Sequence, residues 1–166
     1  MNLSPIKLED LSAITHTVLL PETKKFASPA FKVIAYSGEY RYGAGGNADA
    51  RYIVATATAA HKAWFSEGIV IDFSALKYEW GDEMEWVLGI AQSGPMKCEF
   101  PLVIIVGEEC SKALKTLIPD KYPEYCVESL DAAISLLEKK RQAYEKCLAA
   151  WRSQPINPGP SSRGSA

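Results

Sequence analysis

Between Asp72 and Glu109 the chain carries eight acidic side chains against two basic ones, a local charge of −6. Glu79, Asp82, Glu83 and Glu85 crowd one short stretch of it, interleaved with Tyr78, Trp80 and Trp86. Glu108 and Glu109 follow the next apolar run. Carboxylates gathered this way can exchange protons, hold a hard cation or face a basic partner. Their spacing matches no calcium loop. The simplest state for such acids is a solvated rim, and the simplest function for that rim is to bind a basic protein surface. An aromatic pair, Tyr78 and Trp80, ringed by these acids suits an interaction hot spot. The same two rings would equally serve to cover a sheet edge.

Other chemistry-bearing residues are sparse. His16 and His61 are the two histidines, and neither has Cys or Asp at ligand spacing, so no metal site is expected. There is no G-x-S-x-G elbow. Cys110 stands at a predicted helix start, where a thiol can be activated, but Glu108 and Glu109 beside it oppose a thiolate. Gly43-Ala44-Gly45-Gly46-Asn47-Ala48 fits G-x-G-x-x-A. Glu39 and Arg41 precede it where a dinucleotide fold wants buried strand, and no Lys-Ser/Thr follows, so it reads as a connection. No catalytic residue and no cofactor are assigned.

The elements that must position the acidic junction are legible from periodicity. Ile14 to Leu20 has the pattern of a short strand, and Phe31 to Tyr42 alternates as a half-buried one, with a bend or bulge at Ser37-Gly38. Asn47 or Asp49 is placed to cap a helix carrying Ile53, Ala57, Ala60 and Trp64 at helical spacing. Ile69 to Phe73 is apolar on both faces apart from Asp72, as befits a central parallel strand. Asp82 and Glu85 form a capping-box pair opening a helix with Trp86, Val87 and Ile90 inside and Ser93-Gly94-Pro95 at its end. Pro101 to Val106 is a strand, and Glu108 to Leu117 a helix with Ala113, Leu114 and Leu117 inward. Tyr125 to Val127 is a last short strand. Ser129 caps a long helix with Leu130, Ile134, Leu137, Tyr144, Leu148 and Trp151 at helical spacing. Its distal turns overrun the sheet, either to pack on the first 30 residues or to form a dimer seam.

This alternation predicts an α/β fold, a mostly parallel sheet flanked by helices. Gly43–Asn47, Lys77–Asp82 and Gly107–Glu109 would gather at one edge. Residues 1–30 form an N-terminal extension with room for one strand, 31–151 the domain, and 152–166 a Ser/Pro/Gly-rich tail expected to be disordered. The chain of 166 residues is 48% apolar and 23% charged with net charge −2, which argues against nucleic acid or an anionic membrane as partner. No apolar run reaches the roughly 20 residues of a membrane span. The four cysteines, 98, 110, 126 and 147, form no CxxC pair and are expected to be reduced, in a cytoplasmic protein.

Several of these segments resemble STAS domains, the fold of bacterial anti-sigma-factor antagonists. Ile34-Ala35-Tyr36-Ser37-Gly38-Glu39 looks like that family's early strand and turn, and Val70-Ile71-Asp72-Phe73-Ser74-Ala75-Leu76 like its central strand. Leu102–Gly107 and Tyr125–Ala133 complete the likeness, from about Phe31 to about Glu138. Regulatory members carry a phosphate-accepting serine at the helix start, where this chain has Trp80-Gly81-Asp82-Glu83. The resemblance implies that Asp82 stands there either as a fixed negative charge or simply as a helix cap. A weaker similarity to the crotonase fold would imply an acyl-CoA enzyme, but no glycine-rich amide donor follows Val106.

The expectation is therefore a STAS-like, non-enzymatic domain binding a protein partner through Tyr78, Glu79, Trp80, Asp82, Glu83, Glu108 and Glu109. That partner would be a regulator or, if the chain is an immunity protein, a toxin.

Overall fold

The computed structural model describes residues 1–22, 29–94 and 98–153, the side chains of Asp82 and Ser93 excepted. Five strands form one sheet in chain order. β1 (Thr15–Leu19) runs antiparallel to β2 (Lys32–Glu39), while β3 (Ile69–Lys77), β4 (Leu102–Val106) and β5 (Cys126–Val127) continue parallel to it. α1 (Asn47–Ala63) links β2 to β3, and a 3₁₀ helix (Asp82–Ser93) links β3 to β4. α2 (Glu108–Leu117) and the single turn α3 (Tyr122–Tyr125) lead to β5, and α4 (Leu130–Arg152) follows. The α/β architecture expected from the alternation is the one observed.

Each parallel connection steps one strand in the same direction, so right-handed crossovers bring their helices to one face. That face holds the main core, with Ile34, Tyr36, Ile71, Phe73, Ile104 and Val106 under α1, the 82–93 helix and α2. The other face is apolar at Val33, Val70, Val103 and Ile105, and α4 covers it with Ala133 and Leu137. The bend expected at Ser37-Gly38 is a register shift between β2 and β3 beside Ala35 and Ser37. There the Ser74 N–H turns to the Asp72 carboxylate, 2.8 Å away.

Five local expectations are corrected. The 82–93 helix winds with three residues per turn, so Met84, Val87 and Ile90 stack inward and Trp86, Gly89 and Gln92 outward. Trp86, expected inside on a 3.6-residue winding, is 48% exposed. The cap position is Gly81 rather than Asp82. At α1 the cap is Gly46, and neither Asn47 nor Asp49 caps it. Asp49 is buried instead, and its carboxylate takes the Arg41 backbone N–H at 2.9 Å, the Arg41 guanidinium at 2.8 Å and the Ser12 hydroxyl at 2.5 Å.

On α4, Ser129 caps as expected, accepting from Ala132 N–H at 3.3 Å. Leu130 and Ile134, expected inward, are exposed, because the inner face runs through Ala133 and Leu137. Finally, the cysteines are not all reduced: Cys98 and Cys147 form a disulfide, and Cys110 and Cys126 are free and buried. Spacing along the chain did not reveal this pair, since 49 residues separate them. Pro95 and the tail beyond Ser153 lie outside the described residues. No helix among the described residues is long and apolar enough to cross a membrane.

At the opposite edge from the acidic junction, Lys32 is buried, and its ammonium donates to the carbonyls of Ala60 (3.1 Å), His61 (3.3 Å) and Trp64. These close the last turn of α1, where backbone carbonyls lack helical partners and a cation meets the negative helix end.

Candidate partner-binding site

The C-terminal ends of β2 and β3 and the start of α2 are laced together by backbone hydrogen bonds. The Tyr40 N–H donates to Lys77 O (2.9 Å), Gly43 N–H to Trp80 O (3.2 Å) and Tyr78 N–H to Glu109 O (3.0 Å). The three segments that the strand order gathers at one edge therefore touch. Tyr78 is buried, its hydroxyl donates to Gly81 O at 2.5 Å, and Tyr40 meets it edge-on at 5.0 Å. Gly81 leaves room for that ring, since a Cβ there would lie 2.6 Å from Tyr40 Cε1. Tyr78 thus anchors the junction from below.

Trp80 lies on top of it, 49% exposed, with its ring 5.5 Å from that of Tyr42, which is 72% exposed. Gly43 turns the chain beneath this pair with φ +60°, a left-handed conformation that glycine adopts at no steric cost. A Cβ at Gly43 would come within 3.0 Å of the Trp80 ring. Sequence reasoning missed Tyr42, because it belongs to a different loop and reaches Trp80 only through this turn.

Tyr78, Glu79, Trp80, Glu108 and Glu109 line one open cavity of about 530 Å³. Its remaining wall is the side of α2 bearing Lys112, Ala113, Thr116 and Leu117. Those four, with Glu109, recur at three- and four-residue spacing, the signature of one helix face. That signal was in the sequence, where Ala113 and Leu117 read as core. The wall is thus apolar at Ala113, Leu117 and the two rings, and acidic at the mouth. Lys77 neutralises part of the rim, 3.0 Å from Glu39 and 3.5 Å from Glu79, and these hydrogen-bonded acids raise its pKa.

Glu83 is not among the described residues that line the cavity. Glu83 turns toward α1 and pairs with Arg51 at 3.4 Å. Asp82 follows the cap position at Gly81, so it is not the helix cap, and its side chain is outside the described residues. Cys110 is fully buried, and that burial, with Cys126 nearby, pushes its thiol up to about 12. A thiol held neutral in this way is a packing group, not a nucleophile. The Gly43–Gly46 stretch is a 3₁₀ turn leading straight into α1, and a Cβ at Gly46 would fall 2.0 Å from Tyr40 Cε1. Its glycines make room for a tyrosine. Among the described residues, no three His, Cys, Asp or Glu side chains converge as metal ligands.

No family model matches the chain, and no curated protein matches it significantly. Its fold is similar to the crystal structure of an anti-sigma factor antagonist from Mycobacterium paratuberculosis. The TM-score is 0.50 at 16% identity, over 76% of this chain and 95% of that one. At such identity the likeness speaks for the fold alone: the chain has a STAS-like architecture.

Proposed function

We propose that this protein is a STAS-like, non-enzymatic interaction domain of the cytoplasm. It would bind a regulatory protein through the Trp80 junction, the acidic rim and the wall of α2. One observation carries the reading. Five of the seven residues singled out from sequence, coming from two different strand-to-helix junctions, line the same cavity. An apolar cavity with carboxylates at its mouth suits a partner that inserts one apolar or aromatic side chain and surrounds it with lysine or arginine. Asp82 and Glu83 would flank that contact. The anti-sigma factor antagonist among the similar structures favours a regulator over a toxin as the partner.

The test is affinity capture from native lysate with wild type beside a Glu79→Lys/Glu108→Lys/Glu109→Lys variant. A specific protein retained by wild type and lost with the variant is expected, and its retention should weaken as salt rises. Identical capture by both would remove the rim from the interface. An Asp82→Lys/Glu83→Lys variant run alongside reads out whether the contact extends to the 82–93 helix.

A further inference from the structure

α4 has 23 residues and is roughly 35 Å long, but its buried positions, Ala133 and Leu137, both lie in its first half. Beyond Leu137 no residue of this helix is buried. Its distal half is held by a few side chains. Lys140 sits 3.7 Å above the Tyr125 ring and 3.9 Å from Glu99, Arg141 pairs with Glu67, and Tyr144 meets Phe100 at 5.8 Å. The covalent hold is the Cys98–Cys147 disulfide.

The ground under this half is loose. A cavity of about 120 Å³ opens at Cys147 beside Phe100 and Tyr144, and another of about 330 Å³ lies between Glu67 and Leu148. On the other side of the bond, Cys98 borders an opening of about 450 Å³ shared with Leu88 and Gln92. Cys98 also backs against the exit of the 82–93 helix, where a Cβ at Gly94 would meet its carbonyl oxygen. The disulfide therefore joins two segments that otherwise pack thinly on each other.

We propose that the Cys98–Cys147 bond is a redox-operated strap: closed, it docks the distal half of α4 on residues 98–100, and opened by a dithiol it releases that half while the sheet and its core stay folded. The reaction is thiol–disulfide exchange. A thiolate of the dithiol attacks Sγ of Cys147, the half-buried partner, since Cys98 is 1% exposed. The protein S–S bond breaks, Cys98 departs as thiolate and takes up a proton, and a mixed disulfide forms on Cys147. The second thiol of the reductant closes on the first, freeing Cys147. The protein gains two electrons and two protons, and the dithiol becomes its cyclic or intramolecular disulfide. A disulfide oxidant reverses the sequence. Cys110 and Cys126, buried with thiols pushed up to about 12, present no thiolate to divert the exchange.

Release would uncover Phe100, Tyr144 and Leu148. In a reducing compartment the open form would prevail, and oxidation would close it.

Hydrogen exchange read by mass spectrometry on the full chain, oxidised and then treated with dithiothreitol, tests this. Protection should be lost in residues 138–152 and around 98–100, and retained in β2, β3, β4 and residues 130–137. Iodoacetamide should then label Cys98 and Cys147 without denaturant, leaving Cys110 and Cys126 unlabelled. A Cys98→Ser/Cys147→Ser variant should show the released pattern with no reductant. Unchanged protection on reduction would overturn the proposal, as would failure of dithiothreitol to open the bond without denaturant. Loss of protection throughout the sheet, or a variant that does not fold, would also overturn it, because the bond would then be a structural bolt.

Discussion

Two sets of carboxylates in this protein have opposite fates. Asp49 is 1% exposed and is met by the Arg41 backbone amide, the Arg41 guanidinium and the Ser12 hydroxyl. Arg41 in turn reaches Leu11 O, so one buried acid ties together the N-terminal segment, the loop after β2 and α1. Glu108 and Glu109 are exposed in the first turn of α2, with no side-chain ion pair among the described residues. Both kinds of acid look alike as letters. Burial decides which one holds the fold, because a charge withdrawn from water must be fully paired or the fold loses several kcal/mol. Acids left in water carry no such obligation and remain free to meet something else.

The comparison predicts its largest effect at Asp49. Asp49→Asn leaves the Arg41 guanidinium facing a neutral amide and should cost about 2–4 kcal/mol, less than breaking a fully buried pair because the Arg41 side chain is half exposed. The pH dependence has a definite sign. Burial by itself would raise the Asp49 carboxyl, but hydrogen bonds from the Arg41 side chain, the Ser12 hydroxyl and the Arg41 amide overcome it, leaving it below the ordinary value of 3.8. The folded state thus holds this proton less tightly than the unfolded one. Its contribution is full above the unfolded pKa and is lost as pH falls through the folded one. Chemical denaturation between pH 6 and the acid limb should show that loss in wild type and a flatter limb in the variant.

A smaller effect is expected at the other buried charge. Lys32→Met removes the donor to three carbonyls at the end of α1 and should cost about 1–3 kcal/mol. Burial pulls the Lys32 ammonium from 10.5 down to about 8. The folded state therefore favours the neutral amine, and stability should rise as pH goes from about 8 toward 10 in wild type but not in Lys32→Met. Denaturant midpoints across that range are the measurement. If both proteins show the same slope, the carbonyl cage holds the proton against burial.

How far the sequence reveals all this follows from the range of each interaction. The strand Leu102–Val106, the start of β3 at Ile69 and the helix cap at Ser129 are local patterns, and they are where periodicity and capping chemistry put them, although β3 runs past the expected Phe73 to Lys77. The winding of the 82–93 helix is not local. Met84, Val87 and Ile90 stack inward in a three-residue repeat against α1 and the sheet, and nothing within the segment distinguishes that from a 3.6-residue repeat. The Cys98–Cys147 bond and the Tyr42–Trp80 contact join residues far apart in the chain, and only the assembled fold brings them together. At the candidate site the acids and aromatics were legible because composition marks them. The apolar wall from α2 was not, because Ala113 and Leu117 look like any core positions until the helix is seated at the cavity edge.

The remaining predictions concern the exposed set. Gly43→Ala places a Cβ in a left-handed residue and 3.0 Å from the Trp80 ring. It should cost about 1–2 kcal/mol in backbone strain. It should also shift tryptophan fluorescence as Trp80 is displaced, and weaken partner capture as far as Trp80→Ala does. A fluorescence spectrum unchanged from wild type would mean that the turn, not the ring, absorbs the added methyl.

The smallest effect on the fold should come from Glu108→Gln/Glu109→Gln. Neutralising two first-turn acids removes only their weak interaction with the helix dipole, a few tenths of a kcal/mol each. The melting temperature should therefore hardly move, in contrast to Asp49→Asn. Association should be affected instead. If the rim steers a basic partner, its loss should slow the on-rate roughly tenfold at low salt and flatten the dependence of that rate on ionic strength, with little change in the off-rate. Stopped-flow or surface-based kinetics with the captured partner would measure both. A melting temperature that falls as far as that of Asp49→Asn would show that these acids are structural too, and the distinction between the two sets would fail. An unchanged on-rate with an increased off-rate would move them from the steering rim into the packed contact, beside Trp80.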